Sequence, residues 1–480
     1  MQAFFINLFR SANLVSIHAS RWSVNSLLLL VLSAGLALSC ASTAAPVLMI
    51  SVDGMKPEYV LEAAQKGLKL PYLRSLLASG TYADGVVGVW PTVTYPSHTS
   101  LVTGLAPAEH GVYNNLQFDP ERKFADAWYW YADQIRVPTL WQAAHAAGLS
   151  TASVGWPVSV DAADIDYLIP EFFRTWGPTE DLNPADRYLI AALSRPTGML
   201  AQMQSELGPY MKGNDTSTHG DQIKTRFALD ILKHHAPRFM TLHLSSLDDA
   251  EHAHGPFSAE ANAALEAIDG LLASLAQGAR AADPASVVVI VSDHGFASIA
   301  HKLNLTIPFI AAGLIEAKID PETQAPRVSA WRAEPWMAGG MAAIQLRDPE
   351  DTKTRDQVEK LLLELKGDPR NGIAEILDRR AMAERGGFPD AAFVVVLKPG
   401  YYTGTNLRGD LVTEFHEPHG GHGFSPEYPE MRAAFFASGT GIAAHRDLGL
   451  IDMRQIAPTV AALLGVPMPT AKADPLHLAP

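Results

Sequence analysis

A chain of 480 residues that is 48% hydrophobic can bury a large core, and its scattered Gly and Pro exclude a fibrous or disordered class. A net charge of −14 with no Lys/Arg-rich block excludes a nucleic-acid backbone as partner, and any anionic substrate then needs strong local positive charge, which metal ions can supply. The single cysteine, Cys40, excludes a disulfide framework and a thiolate zinc centre, so a transition-metal site has to come from His, Asp and Glu.

Residues 1–45 read as a signal peptide or export segment. Arg10 and Arg21 supply positive charge, Leu27 to Leu38 is an apolar run of signal length, and "SCASTAAP" offers cleavage after Ala41 or Ala44. The alternative is a lipid anchor at Cys40, behind the imperfect lipobox Ala37-Leu38-Ser39; it is the one membrane attachment the sequence offers, because the apolar run is short for a span. The expected location is periplasmic or secreted.

From Pro46 onward, strand patterns alternate with helix patterns. "PVLMISVD" is a continuous apolar run ending in an acid, as in a parallel strand buried on both faces, and "LKLPYLRSLLASG" follows with helical spacing. "PTLWQAAHAAGLS" and "TASVGW" repeat the order, as do "KTRFALDILKHHAP" and "RFMTLHLSSLD", then "AEANAALEAIDGLLASLAQGAR" and "ASVVVIVSDHG". "MRAAFFASG" and "DMRQIAPTVAALLG" close the series. This order predicts an α/β fold, a three-layer α/β/α sandwich around a large, mostly parallel sheet. Residues 46–480 read as a single catalytic domain, with a less regular rim or cap elaboration around 300–415.

Three of these strands end in acids, Asp53, Asp248 and Asp293. Open α/β sheets bind ligands beyond the carboxyl ends of their strands, so the acids are expected to converge. Asp248 and His252 are four apart, on one face of a helical turn, and His294 directly follows Asp293. His422 sits among glycines in "GGHGF", where the backbone can approach a ligand. Three carboxylates and three imidazoles, shared between two ions, leave open positions for substrate and nucleophile. The nucleophile candidate is Thr94 in "PTVTYPSHTSLVTG", at a helix start, where coordination to zinc would lower the hydroxyl pKa.

Each motif has a plainer reading alone. A strand-end acid can be a helix cap, an i,i+4 Asp–His pair can be a surface pair, and a Thr before Tyr-Pro can be a turn residue. His234 and His235 suit a solvated helix C-terminus. His98 reads as a packing residue, and His254, His416 and His419 as supporting residues, His419 being the rival of His422. The run from Trp128 to Tyr131 reads as core or rim aromatics.

The ordered set "VDG", "PTVTYPSHTSLVTGLAPAEHGVYNN", D-x-x-x-H-x-x-G-P, "SDHG" and "HG" resembles the type I phosphodiesterase/nucleotide pyrophosphatase family of the alkaline phosphatase superfamily. The likeness runs in fragments from about Val47 to the C-terminal helix, strongest around Thr94 and "SDHG", weakest over 160–235 and 300–415. It implies an alkaline phosphatase-like fold and two Zn2+, other divalent cations being acceptable to such ligands. Asp53, Asp293, His294 and Thr94 would hold one ion, and Asp248, His252 and His422 the other. It further implies attack by Thr94 on phosphorus, a covalent phospho-threonine, and hydrolysis of phosphodiesters or nucleotide pyrophosphates. Asn115, with Asn114 as near alternative, would donate to a phosphoryl oxygen, and Tyr95 would stack on a base. Ser97 replaces the family's usual Asn, which weakens subgroup assignment but touches no ligand.

The rivals are a phosphomonoesterase, for which the expected Lys-x-Arg pair after "VGWPVSV" is missing, and a phosphonate hydrolase, whose extra basic residues do not stand out. Phosphomutase-like isomerases on this scaffold are normally cytosolic, against the export signal, and a non-catalytic binding protein would not need Thr94.

Overall fold

The structure is a computed structural model that describes residues 44–121, 127–174, 185–211, 213–319 and 326–480. The export segment read from the sequence therefore falls, but for its last two residues, outside the described residues. No helix among the described residues is long and apolar enough to cross a membrane.

An eight-stranded sheet forms the centre. Its strands in chain order are β1 (Val47–Val52), β2 (Thr81–Tyr82), β3 (Thr151–Val154), β4 (Tyr167–Ile169), β5 (Phe239–Leu244), β6 (Val287–Val291), β7 (Phe435–Gly439) and β8 (Arg446–Asp447). Their order across the sheet is β8-β2-β7-β6-β1-β5-β3-β4. The pairs β6-β1, β1-β5, β5-β3 and β3-β4 are parallel, and β7 runs antiparallel to both its neighbours.

Five helices matter for the site: α1 (Thr94–Thr103), α2 (Thr218–His235), α3 (Ser246–His254), α4 (Ala259–Ala282) and α5 (Ile456–Leu464). The period-2 alternation of β1 divides its side chains between two cores. Leu48, Ile50 and Val52 pack with Phe227 and Ile231 of α2 and with Leu265, Ile268 and Leu272 of α4. Val47 and Met49 pack with Leu101 and Val102 of α1 and with Ile456 and Val460 of α5. Helices thus cover both faces, and the molecule is a three-layer α/β/α sandwich.

Register brings the chemistry to one edge. Val52 lies opposite Leu244, and Ser51 lies opposite Val291, so β1, β5 and β6 end at nearly the same level. Asp53, the start of α3 and Asp293 follow directly from those ends.

The 297–421 stretch is more regular than its sequence suggests. Ala297–Leu303 pairs with Gly400–Thr403 and with Val412–Gly421. Ala333–Met337, Met341–Leu346, Phe393–Leu397 and Ile373–Asp378 form an antiparallel sheet in that order. Ile344, Val395 and the Val358 and Leu362 side chains of helix Thr352–Gly367 build its core.

Candidate metal and nucleophile site

The candidate side chains are delivered by strand ends and helix starts, except His252, which lies in the last turn of α3. Gly54, at φ +73°, lets the chain turn sharply after Asp53, and its N–H donates to Asp293 Oδ1 at 3.1 Å. A Cβ there would come within 2.7 Å of Glu251 Oε2 and 2.8 Å of the Phe296 ring, so only glycine fits the "VDG" turn. Thr94 is the first residue of α1, after an extended Val93. Asp248 and His252 lie one turn apart on α3. His422 follows the Val412–Gly421 strand and is gripped by two backbone bonds: Gly340 N–H donates to its carbonyl, and its Nδ1 lies 3.1 Å from Thr92 O.

These side chains converge. Among the described residues, one donor atom each from Asp53, Asp293 and His294 lies within 4.8 Å of the others, and the same holds for Asp248, His294 and His422. His294 Nε2 is 3.5 Å from Asp53 Oδ1, 3.2 Å from Asp293 Oδ2 and 3.4 Å from Thr94 Oγ1. Asp248 Oδ1 is 3.6 Å from His252 Nε2 and 3.8 Å from His422 Nε2. The His294 and His422 rings stack at 3.7 Å, which ties the two groups together.

Tautomer logic points the imidazoles inward. The Nδ1 atoms of His252, His294 and His422 face the backbone carbonyls of Gly420, Gly295 and Thr92 at 3.1–3.2 Å. Each Nδ1 therefore carries the proton and donates it, which leaves the Nε2 lone pair for a cation. Asp53 Oδ1, Asp248 Oδ1 and Asp293 Oδ2 are buried with no hydrogen-bond donor among the described residues. Buried anionic oxygens without donors are costly, and a divalent cation is the partner that this donor set fits.

The electrostatics agree. Burial, then the neighbouring Asp248, raises Asp53 to about 6. Burial pushes Asp248 and Asp293 well above the carboxylate range, Asp293 adding to the shift of Asp248 and Asp53 to that of Asp293. Burial, then neighbouring imidazoles, holds His294 well below its ordinary value and His422 at about 3. By itself the pocket disfavours charge of either sign, and cations beside these ligands would reverse that for the carboxylates.

The structure separates the competing histidines. His419 turns its Nδ1 to the carbonyl of His252, while His254 and His416 are exposed. His98 is fully buried, with Nδ1 2.9 Å from Thr94 O and its ring against Trp156. Asn114 spends its amide on Met337 O and on Asn115 N–H. Asn115 accepts from Tyr95 N–H at 2.8 Å through Oδ1, and its NH2 makes no bond among the described residues.

Tyr95 departs from the expected stacking role. Its ring is 2% exposed, covered by Trp128 at 5.1 Å with Trp130 at 6.3 Å, and its hydroxyl donates to Glu171 Oε1 at 2.6 Å. Aromatic packing and the Glu171 bond hold the ring inside the protein, so it offers no open face to a base.

Two residues escaped the sequence reading, His243 and Glu171. His243 Nε2 lies 3.0 Å from Asp53 Oδ2 and its Nδ1 3.1 Å from Glu171 Oε2. Burial opposes the charge of His243, but the bonds to Asp53 and Glu171 outweigh it and lift the imidazole to about 10. A histidine inside the apolar strand "FMTLHL" was the available signal, since a buried imidazole needs a polar partner.

Comparison with known proteins shows what the chain is similar to. Ectonucleotide pyrophosphatase/phosphodiesterase family member 1 of Mus musculus is 27% identical over 262 residues, 52% of this chain and 24% of its own length. Venom phosphodiesterase 2 of Crotalus adamanteus is 25% identical over 264 residues, 53% of this chain and 27% of its own length. The chain thus matches about a quarter of the length of these curated relatives. Murine ectonucleotide pyrophosphatase/phosphodiesterase 5, solved as an inactive variant with AMP, superposes with a TM-score of 0.60 at 17% identity, covering 88% of this chain and 96% of that one. That likeness shows a shared, alkaline phosphatase-like fold. The family model for type I phosphodiesterase / nucleotide pyrophosphatase matches residues 47–425, and the chain belongs to that family.

Proposed function

We propose that this protein is an exported hydrolase of phosphodiester or pyrophosphate bonds that works through a covalent phospho-threonine at Thr94. The observation that supports the reading is the convergence of Asp53 and Asp293, and of Asp248 and His422, on the shared His294, whose Nε2 lies 3.4 Å from the Thr94 hydroxyl. Asp53, Asp293, His294 and Thr94 would hold one Zn2+, and Asp248, His252 and His422 the other. When bound, the cations supply the positive charge that favours ionised Thr94 and neutralises phosphoryl oxygens.

The chain's own residues do the rest. Thr94 Oγ, its proton given up to solvent water, attacks phosphorus in line; the phosphorus–oxygen bond to the leaving group breaks, and that oxygen takes the electron pair and a proton from solvent. Asn115, whose Oδ1 is fixed by Tyr95 N–H, turns its NH2 to a non-bridging oxygen. Water then attacks phosphorus, breaks its bond to Thr94 and restores the hydroxyl.

Charge favours diesters over monoesters. Two dications are balanced by the carboxylates of Asp53, Asp248 and Asp293 together with an ionised Thr94, so a monoester dianion would bring in one more unbalanced charge than a diester monoanion. The relatives' names support nucleotide or other diester substrates, and their ecto- and venom character supports export.

A substrate panel tests the assignment. Bis-aryl phosphate, aryl monophosphate, a nucleoside triphosphate and phosphonoacetate would be compared with and without chelator. We expect the diester to be hydrolysed fastest and chelator to stop it; much faster hydrolysis of the monophosphate would overturn the assignment.

A further inference from the structure

The Asp53 carboxylate uses its two oxygens differently. Oδ1 faces His294, while Oδ2 bonds to His243 Nε2 at 3.0 Å. On its other side His243 meets Glu171 Oε2 at 3.1 Å, with Gly155 O also 3.2 Å from Nδ1. Glu171 uses its second oxygen to accept from the Tyr95 hydroxyl at 2.6 Å, and Tyr95 N–H donates to Asn115 Oδ1 at 2.8 Å. The series Asp53–His243–Glu171–Tyr95–Asn115 is continuous. Its three central members are at most 9% exposed, and it runs around Thr94 from a candidate cation ligand to the candidate phosphoryl-oxygen donor.

The contrast with the other imidazoles is chemical. His252, His294 and His422 each have one nitrogen on a backbone carbonyl and one left over. His243 has a carboxylate at both nitrogens, so neither is left for a cation. Its ring therefore ties Asp53 Oδ2 to Glu171 Oε2. Glu171 is itself a buried carboxylate whose other oxygen is taken up by the Tyr95 hydroxyl.

We infer that His243 and Glu171 are positioning residues that hold Asp53 in a one-oxygen presentation to the cation and lock Tyr95, and with it Asn115, to the same frame. The inference rests on the proposed cation site. It makes Tyr95 a structural link rather than a platform for the substrate's organic group.

The test is cation affinity of metal-stripped protein, read by Zn2+ titration against a competing chelator, with thermal unfolding of the same samples. His243→Phe and Glu171→Gln should weaken the tighter-held or the weaker-held ion by about 10–100-fold, as removal of such supporting partners does elsewhere. Tyr95→Phe should weaken it less. His243→Gln, which keeps one donor for Asp53 Oδ2, should recover part of the loss. Wild-type affinity in both Glu171→Gln and His243→Phe would overturn the inference, and if His243→Phe does not fold, wild-type affinity in Glu171→Gln alone does so. Lower thermal stability with unchanged affinity would also overturn it, since that is a merely structural role. A wild-type protein that takes up no Zn2+ would instead remove the proposed cation site itself.

Discussion

Thr94 occupies the position where three demands meet: a helix start, an extended residue before it, and His294 Nε2 at 3.4 Å. A hydroxyl is a poor nucleophile at its ordinary pKa, so under the proposed mechanism placement beside candidate cation ligands is what would give Thr94 a chemical role. Thr94→Ala removes one oxygen from a site whose remaining donors are carboxylates and imidazoles. We expect it to lower diester turnover by at least about 10³-fold while bound metal stays near the wild-type amount. Steady-state rates paired with metal analysis check this; near-normal turnover would take the nucleophile's role from Thr94. At this same scale the sequence was legible where a residue type announces itself. Asp53, Asp293 and His294 stand at strand ends, and His422 stands among glycines. His243 and Glu171 were not legible as a pair, because they meet across 72 residues and neither sits in a recognisable motif.

Helix α1 shows how an element can be buried at almost every position and still contain polar groups. Ser97, His98, Thr99, Ser100 and Thr103 are all buried, and Thr99 and Thr103 return their hydroxyls to carbonyls one turn back. Ser100 Oγ lies 3.1 Å from Nε2 of His110, and Val112 N–H donates to His110 Nδ1. His110 Nδ1 therefore holds the lone pair and Nε2 the proton, and the ring is neutral. Burial depresses the His110 pKa to about 3. The sign follows: between pH 6.5 and about 3 the unfolded chain binds a proton that the folded one does not, so stability falls as pH drops through that window. One proton corresponds to up to about 1.4 kcal/mol per pH unit. Urea unfolding from pH 7 to 5 should show a steeper acid loss in the wild type than in His110→Gln; equal slopes would contradict a neutral buried His110. Elements differ in how far pattern reveals them. The runs of β1, β5 and β6 are buried throughout and mostly apolar because both faces are covered, and they could be read directly. Strands of two or three residues, such as β2, β4 and β8, are too short to leave a period. The 333–397 sheet was missed because strands such as Ile373–Asp378 are only partly buried, and their register depends on partners far along the chain.

At the scale of the whole molecule, the sheet acts as a ruler. Parallel register sets the ends of β1, β5 and β6 level, and the helices on both faces keep them so. The 297–421 stretch then contributes from above: the Ala338–Gly340 turn contacts the backbone of His422 and Gly423, and Met337 O takes the amide of Asn114. Side chains from position 53 to position 422 thus reach one pocket, so the sequence offers candidate ligands by residue type while their arrangement depends on contacts far apart in the chain. The proposed hydrolysis requires divalent cations to be held there and used in turnover. Purified protein should therefore be assayed on bis-aryl phosphate alongside its metal content, before chelation, after it, and after Zn2+ is returned. The account predicts about two equivalents of metal per chain, loss of both metal and activity on chelation, and recovery with Zn2+. Full diester hydrolysis by chain shown to be free of metal would contradict it.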